Sequence, residues 1–254
     1  MKKTITIFLL LTFTSCTDNP DNVKNSNPDL VATPQVDSSS DKTLKESGIR
    51  VKVDFSENKD LLGAILLLPD SAFSTWEWKL EDRKSWYTEI KSNDFYTDND
   101  PNFFTQTYFE PNSAKFTIVD GTWSISLYKN TDNSSIVITN DVAGDGNDIN
   151  IYEIKANMIQ GTKDLKGTFG DYVDLIKRKD GSQHCTKKYD EIKNDAIFSF
   201  NFSERAEVEI ESSWSLLKDE YSDCLEGNSL LYSFNPDTKK FDLKKIYWKA
   251  KTVG

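Results

Sequence analysis

The chain has 254 residues, of which 37% are hydrophobic and 28% are charged, and its formal net charge is −10 at pH 7. That length is sufficient for one large domain or two small ones. Because the chain lacks the excess of lysine and arginine that neutralises phosphates, nucleic acid is not an expected partner. The same charge argues against a broad electrostatic attachment to anionic lipid.

The first sixteen residues, MKKTITIFLLLTFTSC, have the features of an export signal. Lys2 and Lys3 precede an apolar run over residues 5–11 that is too short to span a bilayer as a permanent helix. With Ser15 before Cys16 and the polar stretch TDNPDN after it, the segment resembles the signal of a bacterial lipoprotein, of the kind found in Bacteroidota. The alternative is an ordinary secretory signal in which Cys16 is incidental.

The resemblance implies cleavage before Cys16 and a lipid on its thiol, so that residues 1–15 are the signal peptide. It also implies a cell-envelope protein held by its lipid, with the outer membrane as the expected location and the membrane side left open. Residues 16–47 are rich in Asn, Asp, Ser, Thr and Pro and cannot bury enough surface to offset their ordering entropy. We predict that they form a disordered tether and that residues 48–254 form a globular domain.

Two segments near the start of this domain have the features of helices. Residues 59–68 are strongly apolar and end before Pro69, which disfavours helical geometry in the preceding residue. In residues 74–92, four apolar side chains fall near one helical face: Trp76, Leu80, Tyr87 and Ile90.

After these helices the pattern changes to the alternation that is typical of strands. We predict successive strands over residues 115–119, 122–128, 135–140 and 148–154, with a tight turn at Asp120-Gly121 between the first two. Further strands are predicted at 172–176, 197–202, 206–211, 230–234 and 241–248. The sequence therefore predicts an α+β fold in which two N-terminal helices are followed by a mostly antiparallel β meander in a single domain.

Two cysteines remain besides Cys16. In an oxidising envelope, Cys185 and Cys224 are expected to form a disulfide, the alternative being two separate buried thiols. A zinc site is not expected, since His184 is the only histidine and the chain has no CxxC motif. No GxSxG elbow or other nucleophile motif accompanies His184, so no catalytic residue is assigned.

The loop over residues 141–148, DVAGDGND, is the candidate metal site. Asp141, Asp145, Asn147 and Asp148 supply the oxygen ligands that calcium prefers. Only part of the EF-hand spacing is present, because Ala143 occupies the third position and the terminal glutamate is absent. The alternative is a hairpin loop whose Gly, Asp and Asn residues provide a left-handed backbone. Apart from calcium, no cofactor is expected.

An aromatic and acidic tract over residues 93–109 is the candidate ligand site. Its rings can stack on sugars while neighbouring carboxylates accept hydrogen bonds from hydroxyl groups; the rings are Phe95, Tyr96, Phe103, Phe104 and Tyr108. The alternative is a surface loop that packs Phe95, Phe103 and Phe104 against the core.

These observations favour a lipid-anchored, non-enzymatic envelope protein that binds a glycan or another ligand. The alternative function is a periplasmic inhibitor or assembly factor that meets a basic protein partner with its acidic surface. A hydrolase is the third possibility. Among 41 acidic residues some carboxylate pair is inevitable, and the sequence gives no means to choose one.

Overall fold

Two helices lie between two short paired strands at the start of the described chain. The computed structural model describes residues 50–93, 96–98, 104–144, 146–180, 183–195, 197–202, 206–212 and 216–250. These belong to the compact unit Glu46–Gly254. Strand β1 (Arg50–Lys52) pairs antiparallel with β2 (Tyr96–Asp98). Between them lie α1 (Lys59–Leu67), a 3₁₀ turn (Asp70–Phe73) and α2 (Leu80–Ser92).

The next six strands form one antiparallel sheet in which each strand pairs with its neighbour in sequence. They are β3 (Phe104–Glu110), β4 (Ser113–Ile118), β5 (Gly121–Lys129), β6 (Ser134–Ala143), β7 (Gly146–Lys155) and β8 (Met158–Lys163). The turn between β4 and β5 has two residues, since Ile118 pairs with Gly121. A hairpin was predicted here, but with Asp120-Gly121 as its turn; the turn residues are instead Val119 and Asp120, and Gly121 begins β5.

A second antiparallel sheet follows after three helices. The helices are α3 (Leu165–Phe169), α4 (Tyr172–Ile176) and α5 (Cys185–Asp195). Strands β9 (Phe198–Phe202) and β10 (Glu207–Ser212) precede the short helix α6 (Lys218–Tyr221), and β11 (Ser229–Asn235) and β12 (Lys240–Tyr247) come last. The four strands are ordered β12-β11-β10-β9. None of the helices in the described part of the chain combines the length and apolar character needed to span a bilayer.

The predicted fold class is therefore wrong. In the described part of the chain, the strands from β3 onward divide into separate sheets of six and four rather than one meander, and most of the helical segments lie after the six-stranded sheet. The segment 172–176, predicted as a strand, is helix α4 because Asp171 accepts a hydrogen bond from the backbone N–H of Asp174 and caps it. The second helix begins at Leu80 rather than at residue 74, and Glu77 has a left-handed backbone with φ 52°.

The six-stranded sheet separates two hydrophobic cores because its side chains alternate between faces. One face contributes Phe116, Trp123 and Ile125 to a core shared with α1 and α2. There the Trp123 indole donates a 2.7 Å hydrogen bond to the carbonyl of Ala72. The other face contributes Tyr128, Ile136, Ile138 and Ile151 to a core shared with the second sheet. The six-stranded sheet is thus the middle layer, with α1 and α2 on one side and the second sheet together with α3, α4 and α5 on the other.

A charged cluster joins the ends of the two sheets. Lys239, in the turn between β11 and β12, places Nζ 2.9 Å from an Asp132 oxygen and 2.7 Å from a Glu153 oxygen. A hydrogen bond from Ser134, followed by those from Lys239 and Lys155, lowers the pKa of Asp132. The hydrogen bond from Lys239 also lowers the pKa of Glu153. Its bonds to Glu153 and Asp132 raise the pKa of Lys239 itself.

This cluster should make part of the stability depend on pH. Carboxyl pKa values that are lowered in the fold stabilise it fully above the unfolded value of about 4, and this contribution decreases as pH falls from there through the lowered values. The raised pKa of Lys239 contributes below its unfolded value of about 10.4 and is lost at still higher pH. We expect the difference in unfolding free energy between wild type and Lys239→Met to be largest near about pH 7 and to be smaller near about pH 3, where the unfolded carboxyls are already protonated. Urea unfolding at both pH values measures it, with exposed Lys240→Met as the control. A gap that stays constant over this range would contradict the assignment.

Candidate functional site

The aromatic tract lies mostly outside the described residues. Phe95 and Phe103 are not among them, and Tyr96 and Phe104 lie in β2 and β3 with side chains that the structure does not describe. Tyr108 lies on β3, an edge strand of the six-stranded sheet, and is half-buried. The role of this tract in binding stays a prediction. Cys16 also lies outside the described residues.

The predicted calcium loop is part of the β6–β7 hairpin. Of its four candidate ligand residues, two lie on the same face of the sheet in the described structure. Asp141 on β6 and Asp148 on β7 are direct cross-strand partners. Asn147 lies on the opposite face, where it lines a cleft of about 470 Å³ together with Ile149 and Phe198. Asp145 is not among the described residues. Calcium binding here stays a prediction.

Asp141 and Asp148 hold the segment after the 3₁₀ turn against the sheet. The buried Asp141 carboxylate accepts a 3.0 Å hydrogen bond from the backbone N–H of Thr75. The hydroxyl of Ser74 lies 3.2 Å from an Asp148 oxygen, to which it donates. The bonded residues are about seventy positions apart in the sequence. Both carboxylates therefore attach a distant segment to the sheet, a role that the loop motif alone does not indicate.

A larger cleft, of about 600 Å³, lies beside α1. Its apolar lining comes from α1, α2 and the sheet, and includes Gly63, Leu67, Tyr87, Leu127 and Ile154. A Cβ built on Gly63 meets no atom within 4 Å, so this side of the helix faces open space. The half-buried Tyr87 ring makes an edge contact with Phe55 at 5.3 Å between centroids.

The mouth of this cleft is polar because two β-turns end there. Asn133 and Asn157 both have a left-handed backbone, with φ of 60° and 58°, a conformation that asparagine tolerates better than most residues. Asn130 donates from Nδ2 to Ser134 Oγ at 2.7 Å, which fixes the first turn. Across the mouth, Lys129 Nζ lies 2.7 Å from Asp60, and both side chains are more than half exposed. Amides and a balanced ion pair therefore surround an apolar floor.

The cysteines form the disulfide that the sequence predicted, and two polar side chains lie beside it. Cys185 and Cys224 are bonded and fully buried. His184 Nε2 lies 3.8 Å from each sulfur and 2.6 Å from Asp223 Oδ2. The hydrogen bond with His184 lowers the pKa of Asp223. This arrangement was not foreseen because His184 and Asp223 are far apart in sequence.

Comparison with known proteins gives no functional assignment. No protein-family model matches the chain, and no curated protein matches it. The chain is similar to a solved structure described as a domain of an uncharacterized protein from Porphyromonas gingivalis W83, a member of the Bacteroidota, at 14% sequence identity and a TM-score of 0.48. The match covers 73% of this chain and 98% of that one.

Proposed function

We propose that this chain is a lipid-anchored, non-enzymatic cell-envelope protein that binds a glycan in the cleft beside α1. The observation that carries the proposal is the open cleft of about 600 Å³ over Gly63. Its volume falls within the range of about 300–1,000 Å³ that is usual for small-ligand sites. The resemblance of residues 1–16 to a lipoprotein signal supports the location.

The chemistry of the lining favours a hydroxyl-rich ligand. Tyr87 supplies an aromatic surface, and the edge contact with Phe55 restricts how that ring can turn. The amides of Asn133 and Asn157 line the mouth together with Ser135, and each amide carries both donors and acceptors, as sugar hydroxyls require. The Asp60–Lys129 pair and Lys59 leave the lining with a formal excess of only one positive charge, so no strong net charge is demanded of the ligand.

A substitution that fills the cleft tests this proposal. We expect Gly63→Trp to weaken glycan binding by about tenfold or more, since the new ring would occupy the open space over α1 and a tenfold loss corresponds to about 1.4 kcal/mol. The purified protein is screened on an array of bacterial and host oligosaccharides, and the affinity for the best hit is then measured by titration calorimetry.

Gly161→Trp is the matched control. Gly161 lies on β8, is exposed, and also has open space around a built Cβ, but it does not line the cleft. Equal loss of binding in both variants would mean that the cleft is not the site. If no oligosaccharide binds and the protein instead captures a basic envelope protein in a salt-sensitive manner, the inhibitor or assembly role is favoured.

A further inference from the structure

The ligand atoms beside the disulfide have the composition of a metal site. His184 Nε2, an Asp223 carboxylate oxygen and the sulfurs of Cys185 and Cys224 all lie within 4.8 Å of one another. Two sulfurs, one imidazole nitrogen and one carboxylate oxygen form a donor set that zinc accepts in tetrahedral sites. The disulfide occupies the sulfurs in the oxidised protein, so the set becomes available only on reduction.

We propose that reduction of the Cys185–Cys224 disulfide creates a tetrahedral Zn²⁺ site whose four ligands are these two thiolates, His184 and Asp223. The proposal does not depend on the glycan cleft. A phosphine or dithiol reductant supplies the two electrons: with a phosphine, the phosphorus takes oxygen from water and becomes the phosphine oxide, and the disulfide becomes two thiols. Zn²⁺ then binds both sulfurs and releases the two thiol protons.

Apart from the separation of the two sulfurs, the distances between the ligand atoms lie within about 1 Å of this geometry. With bonds of about 2.3 Å to sulfur and about 2.0–2.1 Å to nitrogen, tetrahedral ligands lie roughly 3.3–3.8 Å apart. The two nitrogen–sulfur distances are already 3.8 Å. The 2.6 Å contact between His184 and Asp223 would lengthen slightly, and the sulfurs would separate from bonding distance to about 3.8 Å. Both polar ligands are more than half exposed, which gives the ion a path from solvent.

The backbone around the cysteines is held by bonds that do not involve the disulfide. The carbonyl of Cys224 accepts hydrogen bonds from the Tyr189 hydroxyl at 2.8 Å and from the Arg178 N–H at 2.9 Å. The Cys224 N–H donates to the carbonyl of Tyr221 at 2.9 Å. Cys185 begins the eleven-residue helix α5, whose N-terminus stabilises a thiolate. The two Cα atoms, 5.5 Å apart, are therefore expected to stay close after reduction.

Cobalt titration of the full chain, made without a histidine tag and reduced with a phosphine, tests the proposal. We expect one equivalent of Co²⁺ to give the visible bands of a tetrahedral ion and a sulfur-to-cobalt charge-transfer band, and one equivalent of Zn²⁺ to displace it. The oxidised protein should show neither band. His184→Gln and Asp223→Asn keep both cysteines, and each should weaken zinc binding by at least about tenfold, as loss of a site-supporting group does. Exposed Asp219→Asn is the control for Asp223→Asn and should bind as wild type does.

Three results would overturn the proposal. One is a pale octahedral cobalt spectrum without charge transfer, which would indicate adventitious binding to surface carboxylates. Another is unchanged affinity in His184→Gln and Asp223→Asn. The third comes from near-ultraviolet circular dichroism: if the reduced protein loses its native spectrum and zinc does not restore it, the ligands are not held together as proposed.

Discussion

Replacing Arg83 with methionine is expected to lower the free energy of unfolding by about 3 kcal/mol, because it leaves buried carbonyl groups without donors. Arg83 lies on α2 and is only 1% exposed. Its guanidinium donates hydrogen bonds to the carbonyls of Ile65 and Leu68 at 3.0 and 2.6 Å and to Asp70 at 2.6 Å. The carbonyls of Ile65 and Leu68 lie near and just past the C-terminal end of α1, where carbonyl groups have no hydrogen-bond donor within the helix.

The same side chain also packs on an aromatic ring. The guanidinium carbon lies 4.4 Å from the centroid of the Phe73 ring. Burial lowers the pKa of Arg83, an effect that Asp70 opposes, and the group remains charged because arginine titrates far above neutral pH. A lysine at this position lacks the planar fork needed to reach two carbonyls and a carboxylate together. Arg83→Lys should therefore recover only part of the lost stability.

Urea unfolding followed by tryptophan fluorescence measures these effects. Lys84→Met is the matched control, since Lys84 is the next residue on α2 but is exposed and forms an exposed ion pair with Glu81 at 3.4 Å. Its cost should stay within about 0.5 kcal/mol, as for most surface substitutions. If Arg83→Met costs no more than Lys84→Met, the guanidinium does not support the end of α1 as described.

The sequence predicted strands well where apolar and polar residues alternate, and it predicted the end of a helix well where a proline follows. Residues 122–128, 135–140 and 148–154 lie in β5, β6 and β7, and α1 ends where Pro69 requires. Alternation carries no information about which strands share a sheet, and this is why the division into sheets of six and four was missed. Helices α3, α4 and α5 separate β8 from β9 in the sequence and so divide the strands into two sheets. Most residues of α4 also suit a strand, which is why it was predicted as one.

Neither candidate site could be assembled from sequence. The cleft combines residues from α1, α2 and two turns that are separated by up to about a hundred positions, and none of these segments carries a motif. His184 and Asp223 flank cysteines that are 39 residues apart, which is far outside the spacing of a CxxC pair. Short-range motifs such as the 141–148 loop were easier to see, but the structure brings only Asp141 and Asp148 together among its described residues.

Gly121→Ala is expected to lower the free energy of unfolding by about 3 kcal/mol, at the upper end of what overpacking costs. Sequence reasoning assigned this glycine to the turn. The structure instead places it as the first residue of β5, paired with Ala143 on β6. A Cβ at Gly121 would lie 1.8 Å from the carbonyl oxygen of Val142 and 2.9 Å from its carbonyl carbon. Both are backbone atoms, so no side-chain rotation can relieve the overlap.

The strand pairing itself would have to shift, and Asp141 lies next to the displaced carbonyl. Its bond to Thr75 would then be disturbed as well, which adds to the cost. Gly161→Ala on β8 is the matched control, since a Cβ there meets nothing within 4 Å and alanine has the lower unfolded-state entropy. That variant should be neutral or slightly more stable in the same urea experiment. Equal stability of the two variants would mean that the β5–β6 pairing accommodates the extra carbon and that the small size of Gly121 is not required.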